Sequence, residues 1–281
     1  MYREVNCPEC HYSFPDGQLF CPHCNRPSRF PNIVVAERPE QVAALEKRYQ
    51  VALADARDRD CEAVLTLFEQ RVLEASEAVV CRSVLETLRV VESDRVLFST
   101  YYHLIEDEQV LPRTDEWRRA RELADEVLHG SFAKRNIYFA ALALGGEGLA
   151  NYGPCSWVLA ERMIDFRTTV FEENSAVFFR KKAIRKADVQ TLGYRAVWQR
   201  RGKLAACKLG SRLRQKTSES EFANILCKTG KDSGQDDFVE AHVFGSMTYR
   251  AIDRIVVRRN RLKPWQVEAL EELNQLNLDW R

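Results

Sequence analysis

Two groups of residues in this sequence have the type and spacing to do chemistry. Near the start, Cys7, Cys10, Cys21 and Cys24 form two Cys-x-x-Cys knuckles separated by ten residues. Each pair can bring two thiolates to one ion from a tight turn, and four thiolates satisfy the tetrahedral preference of zinc with no position left for substrate. Such a site is structural and staples a segment too small to fold by burial alone. His11 and His23 flank the ligands, and either could replace one cysteine.

Near the end, the stretch DDFVEAHVFGSMTYRAIDRIVV, residues 236 to 257, reads as strand, turn and strand. Side chains alternate across a strand, so Phe238, Glu240, His242 and Phe244 share one face while Val239, Ala241 and Val243 share the other. The small apolar face suits a core. The mixed face suits the wall of a ligand cleft, or the wet face of an edge strand. Asp236, Asp237 and Glu240 could instead hold magnesium in a nuclease. Strand parity points Asp237 away from Glu240, however, and no lysine stands at the usual short spacing.

These residues must be positioned by an α+β chain in three parts: an N-terminal metal-binding module over 1–30, a helical segment over 31–127 and a mixed α/β domain over 128–281. Residues 5 to 28 resemble a zinc ribbon, a module used for nucleic-acid or protein contact. Apolar spacings of three and four (Val42, Leu45, Tyr49, Leu53, then Val64, Phe68, Val72, Leu73) predict two long helices over 37–92, breaking near DARDRD. A third helical run covers about 97–108. A fourth, TDEWRRARELADEVLHG, starts with Thr114 as a cap and ends at Gly130. Nothing catalytic stands out in these helices. From about 131 the pattern turns to strands, IYFAALAL and CSWVLA, joined by the glycine-rich turn GGEGLANYG. A basic helix within YRAVWQRRGKLAACKLGSRL follows, then a short one at EFANILC and a last one from Pro264 with Leu270, Leu273 and Leu276 on its apolar face.

The chain has 281 residues and nine cysteines. An odd, clustered set fits a metal site plus scattered thiols better than a disulfide framework. No stretch approaches the roughly 18 uninterrupted apolar residues of a membrane span, and the first residues lack a signal peptide's apolar run. A cytoplasmic protein without membrane partners is expected. A formal net charge of +1 conceals two opposed blocks: residues 37–127 hold 21 acidic and 13 basic side chains, whereas 180–216 hold 13 basic and one acidic. The basic block implies a polyanion nearby, either nucleic acid, cofactor phosphates, or an acidic partner that could be the protein's own acidic half. The sequence has no P-loop, GxGxxG turn, GxSxG elbow, HExxH or kinase signature.

Taken in order, ANYGPCSWVL, FRTTVFEENS and DDFVEAHVFGSMTYRAIDRIVV resemble the C-terminal half of an ADP-ribosyltransferase-like domain over roughly residues 128 to 258. The resemblance implies a split antiparallel sheet, NAD as substrate and Glu240 as the catalytic glutamate. Phe238 occupies the place where some branches carry a second Glu or Gln, so the version resembled is the single-glutamate one. The resemblance further implies that Tyr152 and Gly153 form a turn close to NAD, that Arg167 faces the pyrophosphate, and that Asn174 and Ser175 support the nicotinamide ribose. His129 would hold the nicotinamide side, with Arg135 as its rival. Competing roles are a plain turn, a surface ion pair, a helix cap and, for His129 and Gly130, a helix end. His242 shares the face of Glu240 and could touch substrate or be structural.

The function expected is an NAD-dependent ADP-ribosyltransferase, an intracellular toxin or defence effector that modifies RNA, DNA or a protein. Its basic block, with Tyr194 and Trp198, would grip nucleic acid or dock an inhibitory protein partner. The alternative classes are a nonenzymatic zinc-ribbon adaptor and the metal-dependent nuclease.

Overall fold

The computed structural model describes residues 4–7, 10–15, 20–25, 30–92, 95–106, 115–181, 191–273 and 277–281. Thr114 and Leu276, expected as a helix cap and a core residue, lie outside them. The short strands β1 (Glu4–Asn6) and β2 (Ser13–Pro15) pair antiparallel. Helices α1 (Pro31–Ala36) and α2 (Pro39–Asp58) each begin with proline, whose missing amide costs nothing in a first turn. Asp60 takes a positive φ of 53° and separates α2 from α3 (Glu62–Ala75), where the sequence predicts a break.

The next element departs from expectation. Residues SEAVVCR form β3 (Ser76–Arg82) rather than the end of a helix. Ala78, Val79, Val80 and Cys81 are all buried, and an apolar run covered on both faces has no alternation to mark it as strand. Ser83 then starts α4 (Val84–Val91) with a reciprocal capping box to Glu86. Two helices, α5 (Tyr101–Glu106) and α6 (Asp115–Ala133), complete the segment. Gly130 interrupts α6 with φ 76°.

Beyond it come β4 (Ile137–Leu144), β5 (Cys155–Leu159), α7 (Glu161–Ile164), β6 (Thr168–Phe171), α8 (Ser175–Lys181), β7 (Arg195–Val197), α9 (Arg201–Leu209) and α10 (Glu219–Leu226). The chain ends with β8 (Cys227–Lys228), β9 (Asp237–Phe238), β10 (Glu240–Phe244), β11 (Ile252–Val257), α11 (Pro264–Glu271) and β12 (Leu278–Trp280). Eight strands form one sheet in the order β12-β11-β5-β3-β4-β10-β6-β7, antiparallel except for the β11–β12 pair. The sheet runs unbroken where a split one was expected, because β3 bridges β4 and β5. It therefore draws on residues from both sides of position 128.

Strand β10 is interior, paired with β4 and β6, so the edge-strand reading of Glu240 is corrected. Its Val239, Ala241 and Val243 join the main core with Leu65 and Phe68 of α3 and Leu204 and Ala205 of α9. The opposite face, bearing Glu240 and His242, lies under α6 and α8.

The described part of the basic block turns partly inward: Arg195 and Arg201 are buried and Lys203 and Lys208 half-buried, whereas Arg180, Lys181, Arg200, Arg212, Arg214 and Lys216 are exposed. Helix α9 packs on α2 and α3, and Lys203 reaches Glu46 at 2.7 Å, Arg201 reaches Glu161 at 3.1 Å and Lys208 reaches Asp237 at 2.7 Å. Of these three carboxylates only Glu46 belongs to the acidic stretch 37–127, so the acidic half accounts for one of the three pairs. Residues 182–190 of the block lie outside the described residues.

Candidate functional site

The four cysteines converge. Their sulfurs all lie within 4.8 Å of one another, with Cys7 to Cys24 and Cys10 to Cys21 both at 3.6 Å. A zinc–sulfur bond of about 2.3 Å gives a tetrahedral edge of about 3.8 Å, so the set fits zinc. The amides of Cys10 and His23 point at the sulfurs of Cys7 and Cys21 at 3.5 and 3.4 Å. His23 stacks on Tyr12 with ring centroids 5.3 Å apart, and neither His11 nor His23 belongs to the cluster. Among the described residues these cysteines are the one group of three or more ligating side chains that converge. Asp237 is spent on Lys208 and Arg212, and Asp236 accepts from Asn151 and Gly230. The carboxylate triad of a nuclease is not assembled.

Glu240 stands at a different kind of site. Its carboxylate, 3 % exposed, lies in a cleft of about 310 Å³. Tyr101, Trp117, Tyr138 and Phe238 give this cleft aromatic walls, and Arg82, Arg121, Tyr152 and Asn174 give it polar groups. Oxygen Oε2 of Glu240 accepts from the backbone amide of Ser175 at 2.9 Å, from the Ser175 hydroxyl, and from His242 Nε2 at 2.9 Å. Oxygen Oε1 has no hydrogen-bond partner among the described residues and lies 3.7 Å from Arg121 Nη1.

Arg121 organises this arrangement. Its guanidinium sits 4.1 Å over the ring of Phe139, donates to Ser175 Oγ at 2.7 Å and forks onto Asp125, which also accepts from Tyr102 at 2.7 Å. Burial pushes the Glu240 carboxyl up, but His242, Arg121 and Ser175 together outweigh it and hold the group below its ordinary value. Burial likewise opposes charge on Arg121, yet Asp125 and Glu240 raise it. For Asp125 burial prevails over Arg121 and Tyr102 and lifts the carboxyl, so of the two acids Glu240 is the more firmly ionised.

The structure brings together only part of the set expected from the sequence. Glu240, Asn174 and Tyr152 line the cleft, and Ser175 grips Glu240 from the start of α8. Asn174 also caps α8, accepting from the amide of Val177 at 3.2 Å. Arg167 is not at the cleft, since its guanidinium donates to the carbonyls of Met163, Phe244 and Ser246. Gly153 serves a close approach between chain segments, because a Cβ there would sit 2.2 Å from the carbonyl oxygen of Arg82. His129 is buried beneath the cleft against His242, and Arg135 is exposed in the turn before β4.

Sequence reasoning missed Arg121, Asp125 and Arg82. The signal for the first two was present: Trp117, Arg121 and Asp125 recur every four residues on the face of α6 that also carries Ala124 and Leu128, an ion pair on a stripe that is otherwise apolar. Arg82 gave no signal because the strand carrying it was read as helix.

Two outcomes follow from these geometries. Chelating the metal should abolish hydrogen-exchange protection over residues 4–25 and leave the main thermal transition in place, and Cys7→Ser should lower bound zinc; collapse of the whole sheet on chelation would show that the module is not self-contained. Arg121→Met should cost roughly 3–5 kcal/mol in chemical denaturation, as for any broken buried ion pair. It should also raise the Glu240 carboxyl. A depressed carboxyl contributes stability that is complete above its unfolded value near 4.5 and is lost as pH falls through the folded value, so the variant should lose stability at higher pH than wild type. No protein-family model and no curated protein matches the chain, so what the site does has to be read from its own residues.

Proposed function

We propose that this chain is an NAD-dependent ADP-ribosyltransferase, with Glu240 as the group that meets charge developing on the nicotinamide ribose. The observation that carries this reading is one buried carboxylate, kept ionised and held through Oε2, whose Oε1 takes no hydrogen bond from the described residues and keeps only a 3.7 Å contact with Arg121 at an aromatic cleft. Breaking the bond between the ribose and nicotinamide sends its electron pair to the pyridinium nitrogen and leaves an oxocarbenium-like carbon. A fixed carboxylate stabilises that carbon without reorganising at the moment of reaction. Nicotinamide departs neutral, the acceptor's nucleophile bonds to the ribose carbon, and the acceptor gives up a proton.

The cleft walls suit the rest of such a substrate. Trp117 and Tyr101 offer surfaces on which flat rings stack. Arg82 supplies the cation for the pyrophosphate that Arg167 was expected to supply, since a guanidinium forks onto phosphate oxygens. Tyr152, 38 % exposed, stands at the rim. The acceptor is nucleic acid or protein. Of the basic block, Arg200, Arg214 and Lys216 face solvent and are available to phosphates. A chain of this activity would act as a toxin or defence effector.

Purified protein supplied with labelled NAD and, separately, with RNA, single-stranded DNA or cell extract should carry label onto one acceptor class. Glu240→Gln should reduce nicotinamide release by on the order of 10²-fold or more while remaining folded; equal release by variant and wild type would sink the reading. Arg82→Met should raise the KM for NAD by about tenfold or more with a much smaller change in kcat, and an unchanged KM would remove Arg82 from the substrate.

A further inference from the structure

His242 is two residues beyond Glu240 on the same face of β10 and is fully buried. Its ring is boxed by three others: Phe139 at 5.2 Å, Phe171 at 6.1 Å and His129 at 4.8 Å between centroids. Within this box Nε2 meets Glu240 Oε2 at 2.9 Å, while Nδ1 has no hydrogen-bond partner among the described residues. A carboxylate oxygen only accepts, so the imidazole proton belongs on Nε2. The box fixes the plane of the ring, and with it the direction of that one donor.

We propose that His242 is a positioning residue for Glu240, whose Nε2–H pins Oε2 so that Oε1 stays turned to the cleft. The charged and titratable groups around it are Glu240 on its own strand, Arg121 and His129 from α6 and Arg195 from β7. Burial and the two guanidiniums disfavour a second proton on the ring, opposed by Glu240, and the net effect lowers its pKa. His129 is neutral for the same reasons. His242 is thus an uncharged donor. It holds the carboxylate without cancelling the charge that a developing cation would meet, which a second fully paired guanidinium would do.

The consequence for turnover rests on the reading of Glu240 given above, whereas the hydrogen bond and its effect on Glu240 do not. Two substitutions separate positioning from simple filling of the core. His242→Leu keeps an apolar side chain without the donor, and His242→Gln restores an N–H at similar reach. Carbon-13 NMR of labelled glutamate carboxyls should show Glu240 titrating at higher pH in the leucine variant and close to wild type in the glutamine variant. With NAD, the leucine variant should lose roughly 10- to 100-fold in kcat at little change in KM, and glutamine should recover most of it. A folded leucine variant in which Glu240 titrates as in wild type overturns the proposal. Nitrogen-15 NMR of the wild-type histidines gives a test that needs no variant: the Nε2–H tautomer is expected, and an Nδ1–H tautomer overturns it. A shift of Glu240 in the leucine variant, with no nicotinamide release even from wild type, would retire the transferase reading and leave the positioning role standing.

Discussion

A guanidinium buried between two carboxylates is a demanding arrangement, and much of this molecule is arranged to satisfy it. Arg121 cannot be taken out of water without partners, because the loss of hydration amounts to several kcal/mol. Asp125, one helical turn away, meets it within α6, and Glu240 meets it from the sheet. The Ser175 hydroxyl accepts from the guanidinium and donates to Glu240, so α6, α8 and β10 are tied at one point. Tyr102 brings α5 to the same point through Asp125. The placing of α6 over the sheet is thereby specified by polar contacts as well as by packing.

The sheet supplies the other half of the constraint. Cross-strand register sets Glu240 beside Ala141 and Phe171, and His242 beside Phe139 and Thr169. Alanine next to Glu240 leaves room for the cleft, and aromatic neighbours around His242 close the layer behind it. The same alternation sends Val239, Ala241 and Val243 into the main core. A shift of register by one residue would exchange the two faces and bury the carboxylate among aliphatic side chains, so core packing and site geometry select the same register.

The basic block is partly folded into the structure, and it meets the acidic stretch where Lys203 pairs with Glu46. Lysines and arginines that look like a nucleic-acid surface in the sequence are spent partly on Glu46, Glu161 and Asp237. This matters because exposed pairs add little stability, while pairs such as Arg201 with Glu161 have one member nearly buried and help fix how α9 seats. The cysteine module shows the opposite economy, with its own small core of Cys7, Phe14 and Cys21.

What could be read from the chain alone was local. The knuckle spacing determined the four-sulfur site, because each pair is closed by a turn of a few residues. Strand parity determined that Glu240 and His242 share a face opposite Val239, Ala241 and Val243. Proline marked the start of the last helix at Pro264. Tertiary structure decided the rest. Nothing within a few residues of Arg121 says that it faces Glu240, since that contact depends on the pairing of β10 with β4 and on the packing of α6 against α8. The apolar run of β3 likewise became a strand only because β4 and β5 flank it. Nor could the sequence show that Arg82 and Arg121 line the cleft and Arg167 does not. Arg167 ends at the carbonyls of Phe244 and Ser246, whereas Arg82, at the end of β3 where Gly153 passes close to its backbone, lines the cleft.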